Sequence, residues 1–94
     1  MSEPDVLPAD VADLVAAVAE ALEIPMPSVD GADERKHYRL LENRTTDLLI
    51  ALRSLLRHRE HPDLAYDAAY IRRCTAHYPV TYTPFVRSRT EETA

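Results

Sequence analysis

Seven prolines, at positions 4, 8, 25, 27, 62, 79 and 84, constrain this 94-residue chain more than any other feature. Each removes a backbone donor and clashes with the preceding helical turn, so a long helix fits only where proline is absent. The windows 9–24, 28–61 and 63–78 are free of it, and each carries apolar residues at helical spacing. In the first, Val11, Leu14, Val15, Val18 and Leu22 mark one face. Pro8 suits the first turn, Asp10 and Asp13 place negative charge at the amino end, and Pro25 closes the run.

The middle window holds the strongest pattern. Tyr38, Leu41, Thr45, Leu48, Leu52 and Leu55 recur at spacings of three and four, and Leu49 and Leu56 widen the stripe. Asp30 or Asp33 can cap its start, while Arg57, His58 and Arg59 suit its carboxyl end. A helix over this stretch is about 40 Å long, whereas a compact body of this size has a radius of gyration of about 13 Å. The helix is therefore expected to protrude or to meet another chain. Leu40 and Ile50 fall off the stripe by helical angle and hint at a second contact surface.

In the third window Leu64, Ala68, Ile71, Thr75 and Tyr78 share a stripe, with Tyr66, Tyr70 and Cys74 beside it. Residues 80–86 are rich in β-formers but interrupted by Pro84, which predicts an extended strap over the helices and not a central strand. The expected structure is all-α: a small three-helix domain spanning 1–86, with helices about 9–24, 32–60 and 63–78. The middle helix is long and central, an extended C-terminal tail follows the third, and 87–94 is expected to be disordered.

Composition narrows the function classes. A single glycine excludes a glycine-cradled nucleotide site. One cysteine, Cys74, forbids an intramolecular disulfide and suits a reducing compartment. The acidic opening residues do not resemble a signal peptide, and no apolar run reaches the roughly 20 residues that span a bilayer. A cytoplasmic protein without membrane contact is expected.

The net charge of −5 conceals an asymmetry: residues 1–34 sum to −9, residues 35–61 to +4, and the remainder to zero. Acidic and basic elements arranged this way are expected to pack in part against each other within one fold. The acidic first third would also allow mimicry of a nucleic acid. Arg35, Arg39, Arg53 and Arg57 fall within about 40° on the middle helix, a ridge that could track phosphates. Against nucleic acid stand a pI near 5.2 and a connector at 25–31 longer than the turn of a helix-turn-helix.

His58, His61, Cys74 and His77 copy the spacing of a zinc finger. One unbroken third helix, however, holds His61 and Cys74 about 20 Å apart, so a metal could be held only across two chains. Cys74 and His77, one turn apart, offer a nucleophile and base, but the carboxyl end of a helix is the wrong place for a thiolate and no oxyanion hole accompanies them.

No catalytic residue, metal or cofactor is therefore assigned. The expectation is a small non-catalytic interaction or regulatory protein that forms a homodimer through its long helix or binds another protein. Its contact surface is expected to draw on Leu41, Leu48, Leu52, Leu55, Tyr66, Tyr70, Tyr82 and Phe85. The alternative is a nucleic-acid-binding regulator that uses Arg35, Arg39, Arg53 and Arg57.

Overall fold

A computed structural model describes residues 6–86. The helices are α1 (Ala9–Leu22), α2 (Gly31–Arg57) and α3 (Leu64–His77); α1 and α3 fall just short of their proline-free windows, and α2 stops well inside both ends of its own. Polar caps set two of the starts. Asp30 accepts the Ala32 amide at the head of α2, and Asp63 accepts the Tyr66 amide at the head of α3. Ser28 steadies the first of these caps by donating its hydroxyl to Asp33 and accepting the Asp30 amide. The expected tail 87–94 lies outside the described residues.

The chain is a small all-α domain in which α1 and α3 pack most extensively and the longer α2 lies against both. Leu14, Ala17 and Ala21 of α1, Leu48 and Ala51 of α2, and Ala68 and Ile71 of α3 form the core. Val18, Leu55, Leu64 and Tyr70 flank it, half-buried. Four of the seven core residues are alanines, which let helix backbones approach closely but enclose little apolar area. The body is accordingly thin, 15 Å along its shortest axis between Cα atoms, no deeper than two helices.

The helical faces used differ from the sequence expectation. In α1, Val15 and Leu22 are half exposed while Ala17 and Ala21 point inward. In α2 the buried line is His37, Leu40, Arg44, Leu48 and Ala51, so Leu40 belongs to the interior and not to a second surface. Hydrophobic periodicity seeks the largest apolar residues, whereas packing here selects the small ones that let helices close, together with two polar side chains that have work inside.

Arg44 is one of these. It is 6% exposed; Nε donates to the Tyr78 carbonyl at 3.1 Å, and Nη1 donates to the carbonyls of Ala21 at 3.1 Å and Glu23 at 3.5 Å. Those carbonyls lie at the carboxyl ends of α1 and α3, where orphan acceptors and the helix dipole both favour a cation. One guanidinium from the middle of α2 thus closes two helix ends.

His37 serves the C-terminal strap. Past α3 the chain runs back beside the α1–α2 connector, where Pro27 and Pro84 face each other in an antiparallel bridge. Ser28 donates its amide to Thr83 at 2.9 Å, and Phe85 donates to Met26 at 2.8 Å. Tyr82 is buried beneath this pairing; its hydroxyl donates to the Pro25 carbonyl and lies 3.3 Å from His37 Nδ1. With its own proton committed to Pro25, that hydroxyl serves His37 as an acceptor.

Burial raises the Tyr82 phenol above its ordinary value, opposed in part by the charge of Arg44. A proton held more tightly in the folded state stabilises it fully below pH about 10, and this contribution is lost as pH climbs above that value. Tyr82→Phe is expected to cost about 1 kcal/mol at neutral pH, because it removes a part-buried hydrogen bond to the Pro25 carbonyl. Chemical denaturation near neutrality and at alkaline pH checks both points: the gap between wild type and variant should narrow as pH rises, and a constant gap would remove the role given to the phenol.

Candidate interaction surface

The wide leucine stripe of α2 serves two faces. Leu48, at 6% exposure, lies in the core and is no part of an outer surface, while Leu55 is half-buried against that core. Tyr82 is likewise buried, as the plug beneath the strap. Tyr38, Leu41, Leu49, Leu52 and Leu56 point outward, with exposures from 36% to 59%. At 100° per residue they fall within about 80°, centred about 100° round the helix from the core-facing line. Thr45 completes the row and turns its hydroxyl back to the Leu41 carbonyl at 2.7 Å, so its polar atom is satisfied by the helix itself.

The resulting spacing, 38-41-45-49-52-56, repeats as three, four and four residues. Eleven residues spread over three turns keep such a row nearly straight along a helix. Of the other expected contact residues, Tyr66 and Phe85 are exposed and Tyr70 is half-buried.

Arg35, Arg39, Arg53 and Arg57 are all exposed, and none forms an ion pair among the described residues. The acids of α1 form no ion pair with this ridge among the described residues. Those acids are taken by Arg72 of α3, which bonds Asp13 through Nη1 and Glu20 through Nε, each at 2.9 Å. Asp13 and Glu20 are two turns apart on α1, within reach of one guanidinium on the helix packed beside it, whereas the ridge faces away from the core. Hydrogen bonds to Glu20 and then Asp13 hold Arg72 above its ordinary range. The clamp is exposed and weakens with salt.

The zinc-like and catalytic constellations are not brought together. α3 runs unbroken from Leu64 to His77, which keeps His61 away from Cys74, and among the described residues no three His, Cys, Asp or Glu side chains are grouped to hold a metal. Cys74 and His77 line an open recess of about 360 Å³ with Asp47, Arg73 and Tyr78. The His77 ring stacks edge-on against Tyr78 at 4.9 Å, and no hydrogen bond joins it to Cys74 among the described residues. The neighbouring Cys74 thiol instead raises the Tyr70 phenol above its ordinary value. Sequence reading missed Asp67, buried between α2 and α3, because nothing in its spacing marks a carboxylate on an inward face.

No described helix is long and apolar enough to cross a membrane. Compared with protein-family models, curated proteins and solved structures, the chain matches none.

Proposed function

We propose that this chain is a non-catalytic interaction module that pairs with a second copy of itself along the outward stripe of α2. The observation that carries this reading is the straight aliphatic row from Tyr38 to Leu56, exposed on the longest helix of a body too thin to cover it. The row contains no charge, so two copies meet there without desolvating an ion. Arginines along one edge supply a polar rim. The stripe offers about 500 Å² per copy, hence about 1,000 Å² in a dimer, near the lower bound for a specific interface. Affinity in the micromolar range is therefore expected, and assembly should depend on concentration.

Sedimentation velocity over a concentration series tests this. The wild-type chain should shift from monomer to dimer, and a chain carrying both Leu52→Glu and Leu56→Glu should remain monomeric with unchanged helix content. A wild-type chain still monomeric at about millimolar concentration, or a charged variant that dimerises equally well, would sink the proposal.

A second reading has one observation in its favour, the free arginine ridge. If that ridge holds a polyanion, binding to duplex DNA should fall steeply with salt and vanish when Arg35, Arg39, Arg53 and Arg57 are changed to Glu. The net charge of −5 opposes this reading.

A further inference from the structure

Asp67 is 9% exposed, and its carboxylate makes no hydrogen bond or ion pair with any described residue. A nearly buried carboxylate without a donor or cation against it leaves its acceptor capacity unused, which native proteins seldom do. The usual escape is a cation nearby. Arg72, the cation of α3 that does form ion pairs, is engaged with Asp13 and Glu20. Arg57 is exposed at the rim and stays unpaired.

Asp67 lines a half-open cavity of about 170 Å³ between α2 and α3. Ile50, Ala51 and Ser54 of α2 form one wall, and Tyr66 and Tyr70 of α3 form the other. Its position in the first turn of α3 favours a negative charge there, since the helix dipole presents its positive end. Tyr66 and Tyr70, one turn apart, border the recess, and the Arg73 guanidinium 5.6 Å from the Tyr70 ring centre marks that ring as one that attracts a cation. The Ser54 hydroxyl adds a small polar group. A buried anion, aromatic walls and an aliphatic floor form a recess that is too small for a drug-sized ligand, whose sites run to about 300–1,000 Å³.

We propose that this cavity is a binding site for a small organic cation, a primary ammonium on a short alkyl chain, with Asp67 as its counter-ion. The ammonium sits on the carboxylate and donates to Ser54, while the alkyl chain lies against Ile50 and the tyrosine rings. A ligand of about five or six heavy atoms binds in the millimolar range, given the affinity available per atom. The site does not depend on self-association. Ile50, Ser54 and Arg57 lie on the flank of α2 opposite the outward leucine stripe, so either property can fail without the other.

The test uses n-butylammonium as probe and 1-butanol as its uncharged counterpart, followed by NMR on the full chain. The expected result is saturable movement of the Ile50, Tyr66 and Tyr70 signals with the amine, little with the alcohol, and at least about tenfold weaker binding in Asp67→Asn. That variant keeps the shape of the side chain, and an unchanged circular dichroism spectrum certifies its fold. Absence of saturation, equal response to butanol, or undiminished binding in the variant overturns the proposal. Arg57→Ala provides the remaining arm. Amine binding in both wild type and this variant supports the site, whereas binding in Arg57→Ala alone overturns it, because the chain's own guanidinium then fills the cavity.

Discussion

An Arg44→Ala chain is expected to lose about 3–4 kcal/mol of stability. The removed guanidinium serves carbonyls of Ala21, Glu23 and Tyr78, and the latter two residues cap α1 and α3. Stranding buried acceptors costs about 1–3 kcal/mol each where water cannot reach them, and the emptied volume adds to the loss. A domain of this length holds only about 5–10 kcal/mol in total. Thermal melting should show the midpoint falling by roughly 15 °C or more. Arg44→Met separates the causes, because it fills the space without donors. If Arg44→Met melts within a few degrees of wild type, the hydrogen bonds at the helix ends contribute little and the role argued for Arg44 fails.

Leu48 and Leu52, one turn apart on α2, are expected to respond in opposite ways to the same change. Leu48 is enclosed between α1 and α3, and Leu48→Ala should cost about 2–4 kcal/mol through lost burial and a residual cavity. Leu52 is 36% exposed, and Leu52→Ala should cost the isolated chain less than about 1 kcal/mol. In sedimentation the order reverses: Leu52→Ala should weaken the dimer about tenfold while Leu48→Ala, where still folded, leaves it nearly intact. Denaturant unfolding at a concentration low enough to keep the chain monomeric isolates the first comparison. Equal losses of stability from the two substitutions would show that the division of the stripe into inner and outer faces is wrong.

That division explains what the sequence could and could not reveal. The prolines placed the three helices to within a few residues, since a missing amide and a ring clash act locally and need no knowledge of the fold. Asp30 was legible as a cap for the same reason. The long stripe on α2 was legible as apolar, but its breadth concealed two contacts side by side. Which leucines turn inward depends on Ala17, Ala21, Ala51 and Ala68 bringing the backbones together, and alanine barely registers in a periodicity. Arg44 was counted among the bases of a charged block, although its role is internal. Arg72, not the arginine ridge, meets the acids of α1, because that match joins α1 to its closest packing neighbour across more than fifty residues of chain. Asp67 had no signal at all, since the wall opposite it comes from another helix.

The bridge between Pro27 and Pro84 bears on aggregation. In an antiparallel pair of this kind the bonds run between the flanking residues, as from Ser28 to Thr83 and from Phe85 to Met26, and the two facing residues direct their own amides outward. Any other residue there would offer a free donor on each edge, a template on which a strand from a neighbouring molecule could build. Proline has none to offer. At its facing positions this two-residue pairing therefore offers no donor on either edge, which disfavours strand addition beside the exposed Phe85 and Val86.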